Sequence, residues 1–379
     1  MFRPSVPSLA RDRDPDGATT AAAASFGAYS SVGPFNRLDP NPDARELVKM
    51  LLLGTTLLPL RAVAILLIVA SYWAASMLYV TALPHLRHRS DTLRGLTQLT
   101  GRSLLLVCGF HRIDVYGDDS PSDDCSVVMV SNHVSFWEIL YFMSSPSCPA
   151  FAFKSGCLRV PFVGEIALKV LQGIRIDREE GGGARAVVAA VRCRRDAEDP
   201  GEYRPLLIFP EGTTGNGSSM LRFRSGAFVP GSPVRPVLIS LPHEGSFSPS
   251  YESIYLTVLA LRTLTQFRNR MEVRYLDVYV PSKEENKDAK LYAHNVRSYM
   301  ARAAGLPLCD AGYREKRKYQ SRLARRLRSH PLGWLSNILY VNPPALSDET
   351  SLEPLVYQYS CPFATPRVNS CFQDKLGDN

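Results

Sequence analysis

The chain holds no fixed-period repeat, no Cys-x-x-Cys pair and no Cys/His cluster at metal-ligand spacing. Repeat solenoids, zinc modules and thioredoxin-type redox motifs are thereby excluded by pattern, and no metal site is expected. Eight cysteines, at positions 108, 125, 148, 157, 193, 309, 361 and 371, share no paired spacing and predict reduced thiols in a cytosol-facing environment. An Asp-x-Asp-x-Asp-Gly loop with a following Glu is also missing, so calcium regulation through EF-hands is not predicted. Residues 1–44 have neither an early secretory core nor apolar periodicity, and their Ala, Ser, Pro and Asp content predicts a disordered tail.

What the chain has in quantity is apolar residues. At 379 residues and 45% hydrophobic, it can bury one sizeable core or two modest ones, which fits a tail plus one catalytic domain. From Met50 to Leu83 it is almost wholly apolar over 34 residues, interrupted by Pro59 and one charge, Arg61. Ala62 to Leu83 alone is charge-free over 22 residues, enough at 1.5 Å per residue to match the ~30 Å hydrocarbon core in one helix. Two shorter helices forming a hairpin in one leaflet, with Arg61 snorkelling outward, are equally consistent with the pattern. Basic residues flank the stretch on both sides (Arg45 and Lys49; Arg87, Arg89 and Arg94), so charge asymmetry assigns no orientation. Residues 45–90 are therefore expected to be a membrane-embedded helix or helical hairpin.

Formal net charge is +8, and the run Arg314 to Arg328 carries eight basic residues against one acid. Beside a membrane anchor, residues 311–379 read as a basic tail that binds anionic headgroups, at about 1 kcal/mol per basic residue near the surface. Nucleic acid is not an expected partner.

Between them, short apolar runs alternate with longer mixed segments, as in a sheet covered by helices. Strands are expected at Val127–Val130, Gly173–Ile176, Leu206–Phe209, Val234–Ser240 and Glu272–Val280. Helices are expected at Trp137–Met143, Phe162–Gln172, Ala184–Arg195 and Lys290–Ala304, with Gly181 to Gly183 as a flexible loop. The first of these strands delivers His133 into a turn ahead of a helix, and Glu138 follows five residues later. With Ser135 as N-cap, the Glu138 carboxylate would reach the imidazole and fix its tautomer, freeing the other ring nitrogen to take a proton. Ser135-x-x-Glu138 is equally a capping box, in which Glu138 bonds only the backbone. Leu206 to Thr214 repeats the strand-to-loop pattern and presents Glu211, Gly212 and Thr213; Gly173 to Arg178 ends in Asp177 and Arg178, Arg being well suited to grip a phosphate. Pro236 suits a strand edge or a bulge.

In this order NHVSFWE, GIRIDR, FPEGTT and VRPV resemble the four sequence blocks of the glycerolipid acyltransferase family. A closer resemblance is to lysophosphatidylcholine acyltransferases and plant lysophosphatidylethanolamine acyltransferases, in GFHRIDVYG from Gly109, FRSGAFVPGSPVRPV from Phe223 and LYAHNVRSYMARAAGLP from Leu291. It runs from roughly Arg45 to Pro307.

The resemblance implies an α/β acyltransferase domain over residues 91–310, with a central mixed sheet covered by helices behind a membrane-embedded segment. It implies a metal-independent enzyme of the endoplasmic reticulum or a related endomembrane, its site facing the cytosol. Acyl-CoA would be co-substrate, with no cofactor, and a lysophospholipid would be acceptor. His133 would be the general base and Glu138 its partner, Glu standing where the family usually has Asp. Arg178, Glu211, Gly212 and Thr213 map to acceptor-associated positions, with Lys154 in Phe-Lys-Ser-Gly and Arg224, where the family often has Lys, as further substrate contacts. Backbone N–H groups of the His133 turn or Gly212 are expected oxyanion donors. Acylation of lysophosphatidic acid or glycerol-3-phosphate is the alternative within the class. A non-catalytic membrane adaptor that binds lipid or RNA through the basic tail is the alternative outside it. The sequon at Asn216 lies in the third block's loop and is expected to be unmodified.

Overall fold

The computed structural model describes residues 33–38, 42–82, 91–119, 128–154, 168, 170–176, 182–197, 203–242, 247–251 and 256–329. Nine strands lie among them: β1 Ile113–Tyr116, β2 Val128–Ser131, β3 Ala150–Lys154, β4 Ile174–Ile176, β5 Leu206–Ile208, β6 Met220–Leu221, β7 Val234–Ser240, β8 Met271–Tyr275 and β9 Leu308–Cys309. The helices are α1 Ala44–Thr55, α2 Leu57–Ala82, α3 Asp91–Val107, α4 Trp137–Ser144, α5 Gly182–Arg195, α6 Leu256–Leu264, α7 Ala289–Ala304 and α8 Tyr313–Ser329.

Seven strands form one sheet in the order β1-β8-β7-β2-β5-β3-β4, parallel at every pairing but β7 with β8. All four residues of β2 are buried because both sheet faces are covered, as a parallel sheet requires. Met129 joins a cluster with Phe142 and Leu105 from α4 and α3. Val128 and Val130 face the other way, toward Val187 and Val191 of α5 and Tyr292, Val296 and Met300 of α7. Asp288 caps α7 by accepting from Lys290 N and Leu291 N, and Gly305 ends it at φ 64°.

Pro236 lies opposite a bulge. Val234 pairs with Tyr279 and Val237 with Tyr275, so the five residues from Tyr275 to Tyr279 oppose the four from Val234 to Val237 beside a proline that lacks an N–H. The bulge also explains why the regular strand ends at Tyr275 and not at the expected Val280.

Several expectations change. α5 begins at Gly182, so Gly182 and Gly183 open a helix where a loop was expected. The expected helix Phe162–Gln172 falls largely outside the described residues. Of the expected N-terminal tail, Gly33 to Leu38 is ordered onto the domain, with Phe35 buried against Leu221, Cys309 and Ala311. The basic run is not a detached tail either, since α8 starts at Tyr313 and buries Lys316 against the domain. The apolar stretch forms two helices, α1 and α2, that break at Thr56, while Pro59 is accommodated in the first turn of α2. The most apolar 18-residue window of α2 has a mean hydropathy of 2.1 and is 11% buried, so α2 is long and apolar enough to cross a membrane and is no core helix. Arg61 does not snorkel. It is buried and donates to the carbonyls of Leu264 (2.7 Å), Gln266 (2.6 Å) and Phe267 (3.4 Å) at the end of α6.

Candidate active site

β2 and β5 are adjacent and parallel, so the loops after their carboxyl ends share one edge of the sheet. Asn132 follows β2 and continues its ladder with a side chain: Nδ2 donates to Ile239 O at 2.8 Å and Oδ1 accepts from Ile239 N at 2.8 Å. This pins the next residue, His133. Its backbone N–H donates to Glu211 Oε2 at 3.0 Å, and its carbonyl accepts from Gly215 N at 3.0 Å. The ring stacks on Phe209 with centroids 4.2 Å apart and planes 19° from parallel.

Nδ1 of His133 lies 2.7 Å from Glu138 Oε2. A carboxylate can only accept here, so the shared proton sits on Nδ1, and Nε2 is the ring nitrogen outside this bond. The other oxygen, Oε1, accepts from Val134 N at 2.5 Å and Ser135 N at 2.7 Å. The two sequence readings of Glu138 are thus one arrangement, a backbone cap through Oε1 and an imidazole partner through Oε2. The capping residue differs from expectation: the N-cap of α4 is Phe136, and Ser135 donates its hydroxyl to Pro249 O at 2.8 Å. Glu138 is fully buried while the His133 side chain keeps 20% of its surface exposed, so the pair opens to solvent only through the imidazole.

That opening is a cavity of about 690 Å³, lined on one side by His133, Phe136, Ile139 and Phe209 and also by Gly212, Thr213 and Arg224. Apolar walls with a few polar groups beside an imidazole suit an amphiphilic ligand. A second cavity of about 530 Å³ lies against Asn132 and Val134 but includes neither His133 nor Glu138.

Residues 112–240, which contain this site, match the family model described as Acyltransferase. The chain carries an acyltransferase-family domain. A lysophosphatidylcholine acyltransferase of Drosophila melanogaster is 31% identical over 296 residues, covering 76% of this chain and 55% of that protein. The Arabidopsis thaliana lysophospholipid acyltransferase LPEAT1 is 41% identical over 197 residues, covering 52% of this chain and 49% of that protein. The chain spans about half the length of the curated relatives it matches. A solved 1-acyl-sn-glycerophosphate acyltransferase of Thermotoga maritima aligns over 63% of this chain and 97% of that one, at 17% identity and a TM-score of 0.38.

Within the acyltransferase domain the expected site residues separate into two groups. His133, Gly212, Thr213 and Arg224 line the cavity. Glu211 does not: it is buried, and its Oε1 accepts from Leu221 N at 3.1 Å while Oε2 holds His133 N. It braces the backbone of His133, where the family resemblance implied a substrate contact. Burial pushes the Glu211 carboxyl up to about 8, against the two backbone N–H donors, with the neighbouring Glu138 charge adding to the rise. Lys154 closes β3 at the same sheet edge as β5, with its side chain outside the described set, as is all of Arg178.

The expected oxyanion donors are already engaged. The N–H groups of His133, Val134 and Ser135 bond Glu211 and Glu138, and Gly212 N donates to Phe209 O at 3.0 Å. Gly212 acts by its shape. It has φ +64°, and a Cβ there would meet Arg224 Nε at 2.8 Å, so the glycine lets the guanidinium stem pass over the loop. The sequon Asn216 is buried, donating through Nδ2 to Gly33 O (3.0 Å) and Asn36 O (2.9 Å), which closes the folded site to glycan attachment. Among the described residues no group of three His, Cys, Asp or Glu side chains is placed to hold a metal, and four cysteines are free thiols.

Sequence reasoning missed Lys316, Arg317 and Gln320, which reach the cavity from α8. The only local signal was the basic composition of the run that holds them.

Proposed function

We propose that the chain transfers a fatty acyl group from acyl-CoA to the free hydroxyl of a lysophospholipid. The observation that supports this most is the His133–Glu138 pair at 2.7 Å on the wall of a largely apolar cavity. Nε2 of His133 takes the proton of the acceptor hydroxyl as its oxygen bonds the thioester carbonyl carbon. Glu138 holds the resulting imidazolium in place. Collapse of the tetrahedral intermediate breaks the C–S bond, and the thiolate leaves as CoA after taking the proton back. A base and a positioned thioester suffice, so the step as written uses neither metal nor further cofactor. Relatives named for lysophosphatidylcholine and lysophospholipid acyl transfer favour this acceptor class. Helix α2 would keep the domain at an endomembrane such as the endoplasmic reticulum, where both lipids are concentrated, with CoA approaching from the cytosol.

The test is incubation of membranes containing the chain with labelled acyl-CoA and a panel of lysophosphatidylcholine, lysophosphatidylethanolamine, lysophosphatidic acid and glycerol-3-phosphate, beside His133→Ala. Label entering a lysophospholipid only when His133 is present is the expected result. Preference for lysophosphatidic acid or glycerol-3-phosphate would move the acceptor assignment, equal activity in the variant would sink the base, and no transfer at all would reject the enzyme.

A further inference from the structure

Helix α8 looks from sequence like a solvated run of charge, yet one stripe of it is built into the candidate site. Tyr313, Lys316, Arg317 and Gln320 all line the His133 cavity, and their spacing of three, four and seven residues puts them on one helical face. The helix is fixed there by a buried lysine. Lys316 Nζ donates to Thr214 O (2.9 Å), Thr214 Oγ1 (2.6 Å) and Tyr251 O (2.9 Å) and sits 4.9 Å from the Tyr251 ring centre. Thr214 belongs to the loop that carries Glu211, Gly212 and Thr213. Tyr319 adds an apolar contact against the Phe35 cluster.

With Lys316 committed to the protein, the next residue, Arg317, is the cation that this face of α8 offers a ligand. Arg317 is exposed and lines the cavity, and among the described residues its guanidinium makes no hydrogen bond or ion pair; the same holds for the guanidinium of Arg224 on the turn after β6. Two guanidinium groups carried by separate elements into the cavity of an acyl-transfer base match a phosphate, which accepts paired N–H donors. We infer that α8 is a wall of the substrate site and that Arg317, positioned by the Lys316 anchor, binds a phosphate of one substrate together with Arg224. This rests on the acyl-transfer reading for its choice of ligand. The phosphate belongs either to the CoA moiety or to the lysophospholipid headgroup.

Arg317→Ala and the charge-matched control Arg322→Ala, on the exposed part of α8 away from the cavity, separate a site effect from loss of general positive charge. Full-length protein is assayed with palmitoyl-CoA and lysophosphatidylcholine, varying each in turn. Arg317→Ala is expected to raise KM for one of the two about tenfold with kcat within about twofold, Arg322→Ala to change neither, and Arg317→Lys to recover part of the loss. A rise for palmitoyl-CoA assigns the coenzyme phosphates, and a rise for lysophosphatidylcholine assigns the headgroup. Equal KM values in Arg317→Ala and Arg322→Ala would overturn the inference while leaving acyl transfer intact. If no transfer occurs, calorimetric binding of CoA and of lysophosphatidylcholine to the same variants decides the point independently. Weakening of either by about tenfold in Arg317→Ala alone supports the site, and unchanged or absent binding rejects it.

Discussion

Glu138 uses Oε1 to hold Val134 N and Ser135 N and Oε2 to hold His133 Nδ1, so one side chain shapes the loop and sets the tautomer of His133. Glu138→Gln separates the two tasks. The amide oxygen can retain the backbone donors, but the NH2 group then faces Nδ1, forces the proton to Nε2 and removes the base. Acyl transfer should fall by about a hundredfold or more with the fold kept, read as kcat/KM beside a thermal melt. Equal loss of activity and melting temperature would mean that Glu138 is only a cap. Glu211 has a different signature, because its carboxyl binds a proton more readily in the folded state, about 8 against an ordinary 4.5. The folded chain therefore holds more protons than the unfolded one across that interval, and the contribution of Glu211 to stability is lost as pH rises toward and through 8. Wild type should lose more melting temperature between pH 6 and pH 8 than Glu211→Gln, which does not titrate. Parallel pH curves for the two proteins would show that the carboxyl is already ionised.

Helix α4 owes its position to a glycine of α3. A Cβ on Gly101 would lie 2.9 Å from Leu140 O and from Ser144 N, so the two helices touch through their backbones. Gly101→Ala must move α4, the helix that carries Glu138, and overpacking of this kind costs about 1–3 kcal/mol. A lower midpoint in chemical denaturation with a raised KM or reduced kcat is the expected result; an unchanged midpoint would show that the contact yields freely. Nothing in the sequence announced this pairing, since Gly101 reads as a mere weakness in a helix. Strongly patterned elements were legible: β2 and β5 as apolar runs entering polar loops, β7 to the residue, and α7, expected from Lys290 to Ala304 and found from Ala289. The two-residue strands β6 and β9 are too short to show any period, and β1 is only half buried, so none was predicted. The pairing of His133 with Glu138 was readable because they lie only five positions apart. The grip of Glu211 on His133 N spans 78 positions, and that of Lys316 on Thr214 spans 102, distances over which spacing carries no geometric information.

The join between the apolar helices and the catalytic domain is mixed: Leu58, Ile65, Trp73, Met77 and Val80 of α2 pack against the domain core, yet the side chains of α2 that are fully buried there carry polar groups. Arg61, Tyr72 and Ser76 are the buried residues of α2, and intervals of eleven and four place them along one side. Tyr72 meets Thr97 of α3 at 2.9 Å, and Lys49 of α1 reaches Gln266 at 2.9 Å. The opposite surface carries Leu60, Val63, Leu66, Leu67 and Leu78, all more than half exposed, and Leu261 and Phe267 extend an apolar surface onto the domain beside the Arg61 contacts. A guanidinium that satisfies the last carbonyls beyond α6 is both a helix C-cap and the bolt between the two parts. Arg61→Met keeps the apolar length of α2 while leaving those carbonyls unpaired, at about 1–3 kcal/mol for each group that stays dry. Detergent-solubilised Arg61→Met should therefore melt earlier than wild type, yet remain in the membrane pellet after alkaline carbonate extraction. Arg61→Lys, able to keep one of the bonds, should fall between. Release of Arg61→Met into the supernatant would instead make Arg61 a requirement for embedding, and an unchanged melt would show that the domain holds its shape without the helix. Only the first pattern fits a domain held at the bilayer by apolar surface and held in register with it by one buried charge.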